Sequence, residues 1–173
     1  RANVNFYQTV LGQRLVKRTV NFDDPGTYHL YYGDQIGSPG TIMTFFPWTH
    51  VAKGRQGNGE VATTAYTIRP QALDYWIARL QSFNVPVGEI ETRFDAQVLP
   101  FEDYEGTHLE LITSEAPATI LHWAAGPIPE ECALLGFHSA TLWVDKAALT
   151  SKILTDQLGF EFVGQEENRW RYK

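Results

Sequence analysis

The 173-residue chain has a single cysteine, Cys132, and a single methionine, Met43. One cysteine excludes an intramolecular disulfide framework and any cysteine-based zinc site, and it fits a reducing cytoplasm. No apolar run approaches the roughly 18 residues that a membrane-spanning helix needs. Charge of one sign is nowhere concentrated: 14 Lys and Arg against 20 Asp and Glu give a net charge of −6, with no acidic or basic run longer than two residues. That balance argues against nucleic acid and against an anionic membrane surface, and leaves small molecules as the partner class. The hydrophobic share of 43% and charged share of 20% are ordinary for a folded protein, so disorder and coiled coil are poor readings. Aromatic residues are plentiful, five Trp among them, which points to sheet-rich structure around an apolar pocket. The opening Arg1-Ala2-Asn3-Val4-Asn5-Phe6-Tyr7 is no signal peptide and carries no initiator Met, so the numbering is expected to begin inside a longer protein.

Hydrophobic periodicity reveals a degenerate repeat. Val4, Tyr7, Val10 and Leu11 fall at helical spacing before Gly12; Leu73, Trp76, Ile77 and Leu80 do so after Pro70; Leu149, Ile153, Leu154 and Leu158 do so before Gly159. Strand-like segments follow each helix: 14–22, 27–32 and 41–46 after the first, 87–94, 98–101 and 107–113 after the second, 160–164 and 169–172 after the third. Segments 61–69 and 137–144 precede the second and third helices. The unit is strand, helix, three strands. The expected organisation is a first βαβββ module over 1–50 without its opening strand, a Gly-rich linker over 51–60, a complete module over 61–115, a connector over 116–135, and a third module over 136–173 without its last strand. Such units bury their faces against each other, so the fold class is α+β, with repeated βαβββ modules forming curled mixed sheets around a cavity.

This pattern resembles the vicinal-oxygen-chelate superfamily, which takes in glyoxalase I, fosfomycin-resistance proteins and extradiol ring-cleaving dioxygenases. Residues 3–48 sharpen the likeness. The stretches Asn5-Phe6-Tyr7, Thr19-Val20-Asn21-Phe22-Asp23-Asp24-Pro25-Gly26, Tyr31-Tyr32-Gly33-Asp34 and Phe45-Phe46-Pro47-Trp48 resemble the first module of four-module dioxygenases acting on hydroquinone-type rings. Gly126-Pro127-Ile128-Pro129 and Gly136-Phe137-His138 resemble that family's centre. The resemblance implies an Fe(II) enzyme that opens a hydroquinone or catechol ring with O2, the metal held by two His and one carboxylate. It also leaves two other readings open: a metal-free protein that sequesters an aromatic ligand, and a glyoxalase-type lyase or isomerase.

Carried over residue by residue, the family's His-His pair falls at Thr63-Thr64 and at His138-Ser139, and the carboxylate position at Thr44 and Glu110. No complete ligand set results, so no catalytic residue and no metal are expected within residues 1–173, and the iron belongs to the full-length parent. Glu110, His108 and His138 are the weak metal candidates; His108-x-Glu110 places both side chains on one strand face. His138 reads first as a hydrogen-bonded structural residue, His50 and His122 as loop residues, and Cys132 as a small connector residue. Ile42, Thr44 and Phe46, with His29, are expected to line the aromatic pocket. The partners expected are an aromatic substrate and O2, with no nucleic acid or membrane and room for a homo-oligomer.

Overall fold

The computed structural model describes residues 2–48, 51–52, 54–116 and 120–173, so His50 lies outside the described residues. Three sheets are formed among them. Strands β1 (Arg14–Val20), β2 (Tyr28–Gly33) and β3 (Met43–Phe45) make an antiparallel sheet in chain order. Strands β4 (Glu60–Ile68), β5 (Glu91–Arg93), β6 (Ala96–Glu102), β7 (His108–Thr113) and β8 (Phe137–Trp143) make a mixed sheet ordered β5-β6-β7-β4-β8. In it β4 runs parallel to β7 and antiparallel to β8. Strands β9 (Phe162–Glu166) and β10 (Arg169–Tyr172) form a separate hairpin. This mixed, curled arrangement with few helices is the α+β architecture anticipated from the repeat.

Three helices accompany the sheets. Helix α1 takes one α-turn over Ala2–Val4 and widens to π winding over Asn5–Val10. Gly12 then adopts φ +69°, the left-handed geometry that ends a helix without a Cβ penalty. Helix α2 (Leu73–Ser82) follows a 3₁₀ turn at Pro70–Ala72; extended Arg69 before the proline marks its start. Its Leu73, Trp76 and Leu80 are buried. Helix α3 runs over Ala147–Lys152 with a π continuation at Ile153–Gln157.

The main core is one continuous cluster. Phe6, Tyr7, Val10 and Leu11 of α1 and Trp76 and Leu80 of α2 pack with Leu30 and Tyr32 of the first sheet and with Tyr66, Leu99, Leu109 and Leu111 of the five-stranded sheet. Each large side chain removed from water there contributes on the order of 2–3 kcal/mol. The other face of the five-stranded sheet carries a smaller buried group, Ala65, Val98 and Ile112. Buried residues at consecutive positions, Ala65 and Tyr66 of β4, Val98 and Leu99 of β6, and Glu110 and Leu111 of β7, show that these three central strands are covered on both faces.

The structure departs from the sequence reading in two places and adds to it in a third. The strand expected over 87–94 is broken: only Val87, bridged to Phe101, and Glu91–Arg93 pair with β6. Pro100 has no N–H to give, so Gly88 meets it with one bond instead of two, Gly88 N to Pro100 O at 2.8 Å. The apolar stripe of α3 is mostly uncovered, with Leu149, Ile153 and Leu158 60%, 56% and 62% exposed. The described part of the 116–135 connector is packed rather than loose: its Leu121 N–H bonds Asp34, its Leu121 carbonyl accepts from Gln35 N, and Ile128 is buried against Gly12. Among the described residues no helix is long and apolar enough to cross a membrane.

Candidate functional site

The concave face of the five-stranded sheet, β8, α3 and the β9–β10 hairpin enclose a cleft of about 700 Å³. The chain makes its floor from small or short side chains, Ala96, Val98, Ile112 and Ala140, so the curl of the sheet is not filled. Glu110 of β7 sits in this floor with its side chain 7% exposed and is held by Arg93 of β5, Nη2 to Oε1 at 2.6 Å and Nη1 to Oε2 at 3.4 Å. Such a forked pair satisfies a buried carboxylate and occupies the lone pairs that a metal would need. Arg93 Nε lies 3.0 Å from Glu91 Oε2, an ion pair whose N–H is not aligned for a hydrogen bond. Across the cleft stands half-buried His138, its Nδ1 3.0 Å from Ser139 Oγ. Burial, reinforced by Arg171 and opposed by Glu110, pushes the His138 imidazole below its ordinary value, so it is neutral near pH 7.

His108 shares the strand face of Glu110 but stands at the rim, where its Nδ1 lies 3.5 Å from Glu102 Oε1 of β6. The three metal candidates are thus engaged separately, and among the described residues no group of three His, Cys, Asp or Glu side chains converges. An Fe(II) centre of two His and a free carboxylate does not fit the donors present here. The remaining isolated candidates are likewise engaged: His122 Nε2 lies 2.8 Å from Ile128 O, and burial raises the Cys132 thiol.

The first sheet presents a second feature. On its face away from the core, in-register pairing sets Tyr31 between Lys17 and Thr44, and Thr19 opposite His29. The His29 ring lies 4.1 Å from Tyr31 and 4.0 Å from Phe46, and Phe46 stacks at 5.4 Å on Trp48. Tyr31 Oη and His29 Nδ1 are hydrogen-bonded at 2.8 Å, while His29 Nε2 is buried without a partner. The structure therefore brings His29 and Phe46 into contact, with exposed Thr44 beside Tyr31. Ile42 sits apart from them, at the turn of Gly33 and Gly37.

Two buried aspartates escaped the sequence reading. Asp34 Oδ1 accepts the N–H groups of Ile36, Gly37 and Ser38, and its Oδ2 accepts Leu121 N–H at 3.0 Å. Burial raises the Asp34 carboxyl, but the bonds from Ser38, Leu121 and Ile36 outweigh it and hold the group below the usual carboxylate range. Asp103 plays the matching part before β7, taking Glu105 and Thr107 N–H on Oδ1 and Tyr7 Oη–H on Oδ2. Each aspartate directly follows a strand and is followed three residues later by a left-handed glycine, Gly37 at φ +76° and Gly106 at φ +84°. An Asp closing a strand before a glycine turn was the available signal.

No family model matches the chain. MhqO of Bacillus subtilis (strain 168), named provisionally as a ring-cleaving dioxygenase, is 45% identical over 171 residues, which make up 99% of this chain and 54% of MhqO. The crystal structure of a Bacillus subtilis protein provisionally described as a dioxygenase matches with a TM-score of 0.93 at 44% identity, over 99% of this chain and 55% of that one. A glyoxylase/bleomycin resistance protein/dioxygenase domain from Frankia sp. EAN1pec shares the fold at a TM-score of 0.54 and 13% identity, over 66% of this chain and 87% of that one. The chain is thus similar in sequence to proteins named for ring-cleaving dioxygenase activity and shares the fold of a glyoxylase/bleomycin resistance protein/dioxygenase domain. Another relative, chlorohydroquinone/hydroquinone 1,2-dioxygenase of Sphingobium indicum, is 31% identical over 175 residues, 99% of this chain and 54% of the relative. The chain spans about half the length of these relatives.

Proposed function

We propose that this chain is the scaffold half of an Fe(II)-dependent ring-cleaving dioxygenase that opens hydroquinone-type rings with O2 in the cytoplasm. The observation that carries the reading is the backbone match over 99% of this chain to about half of a protein provisionally described as a dioxygenase, a TM-score of 0.93 at 44% identity. One of the relatives takes its name from hydroquinone. The iron, which in this chemistry brings O2 and the ring oxygens together, is held outside residues 1–173, since Glu110 is taken by Arg93. Within the chain, the first sheet supplies a wall for the substrate. His29, Tyr31 and Phe46 offer stacked ring faces and Thr44 offers a hydroxyl, while Ile42 packs apart from them at the turn of Gly33 and Gly37.

Oxygen uptake by the full-length, iron-loaded protein with a panel of hydroquinones and catechols tests this reading. Stoichiometric O2 consumption with a hydroquinone is expected, and none with any ring overturns the proposal. Phe46→Ala should raise KM for the preferred ring about tenfold while changing kcat less, because it removes stacking area present in ground and transition states alike. The 173-residue chain alone should not retain Fe(II) tightly in equilibrium dialysis.

A further inference from the structure

The cleft over Glu110 lies on the opposite side of the fold's second sheet from the main core and takes no part in the ring-cleavage reading. Its charge is at odds with the molecule. Arg93, Arg169, Arg171 and Lys173 line it against one carboxylate, Glu110, in a chain whose net charge is −6. Glu110 neutralises one of these cations, Arg93, leaving Arg171 beside the His138 ring without a paired acid in the cleft. The lining also offers flat apolar surface: Phe94, over which Arg171 stacks at 5.4 Å, together with Trp170 and the Val98 and Ile112 side chains. One polar atom of a lining residue, the Tyr172 hydroxyl, is buried without a hydrogen-bond partner, whereas Arg93 Nε already has Glu91 Oε2 at 3.0 Å. Buried donors left unsatisfied are uncommon and costly, and a bound acceptor resolves them.

We propose that this cleft is a binding site for a small aromatic carboxylate, its anionic head at Arg171 and the Tyr172 hydroxyl and its ring over Val98, Ile112 and Phe94. The volume suits this class: about 700 Å³ lies within the range of small-molecule sites. The guanidinium recognises a planar carboxylate through two parallel bonds, whereas neutral His138 can accept or donate a single bond but adds no charge. A neutral aromatic would leave Arg171 desolvated without compensation, so charge on the ligand is required for affinity.

Calorimetric titration of the protein with 2-naphthoate, beside the neutral 2-naphthylmethanol, provides the test. Saturable one-to-one binding of naphthoate is expected, at least about tenfold tighter than the alcohol. Arg171→Glu should weaken it at least about tenfold, while Arg18→Glu on the far sheet leaves it unchanged. Ala96→Phe fills the cleft without changing charge and should abolish binding; unchanged circular dichroism shows that both variants fold. Equal affinity for acid and alcohol overturns the proposal. So does binding that survives both cleft variants, or the absence of naphthoate binding, the result expected if other polypeptide fills the cleft. The measurement needs no iron and no ring cleavage, so its outcome is independent of the dioxygenase reading.

Discussion

At the scale of single residues, the molecule relies on carboxylates that are buried and fully engaged. Glu110 and Arg93 illustrate why removing one member of such a pair differs from removing both. Arg93→Met alone should destabilise the fold by about 3–5 kcal/mol, because it strands a buried carboxylate, whereas Arg93→Met with Glu110→Leu should fall near neutral in a urea melt. Asp34 adds a pH dependence. Its native carboxyl titrates below its ordinary value near 4, so the folded state binds this proton less readily than the unfolded chain. The stability it contributes is therefore complete above about pH 5 and declines as the pH falls through the unfolded value toward the lowered native one. Denaturation midpoints measured from pH 7 to pH 3 should fall less steeply for Asp34→Asn than for the parent protein. That variant should also be less stable at pH 7, since up to four backbone N–H groups lose a charged acceptor.

At the scale of elements, α1 depends on how it stops. Gly12 combines φ +69° with a position where a Cβ would overlap Ile128 Cγ1. Gly12→Ala should cost about 2 kcal/mol or more by thermal melt, and less when introduced into an Ile128→Ala background, where the overlap is relieved and the left-handed backbone cost remains. This glycine was legible from sequence as a helix stop, because apolar spacing and a following Gly carry that information locally. The same holds for Pro70 before α2 and for the strand-helix-strand order as a whole. What was not legible depended on neighbours distant in the chain. The break of the 87–94 strand is set by Pro100 on β6. The role of Arg93 is set by the register that brings β5, β6 and β7 together, which places Pro100 opposite Glu110. Alternation put His108 and Glu110 on one face correctly, but it could not show that each already had a partner at that depth of burial.

At the scale of the whole molecule, order is distributed unevenly. Strands β4, β6 and β7 are covered on both faces, whereas α3 contains no buried residue and the β9–β10 hairpin pairs only with itself among the described residues. Amides of residues 147–172 should exchange with solvent faster by about two orders of magnitude than those of β4 and β7, a difference that hydrogen-exchange mass spectrometry reads directly. Uniform protection across the chain would refute it. The first sheet is not similarly loose. Although the Leu121 to Asp34 bond joins residues 87 positions apart, it fastens the first sheet to the approach of β8, and Ile128 is wedged beneath α1 at Gly12. A designer wishing to transplant the first sheet, or to permute the chain, would have to carry residues 120–135 along with it. The solvent-exposed stretch at 54–57, between β3 and β4, separates these sheets along the chain but not in the packing.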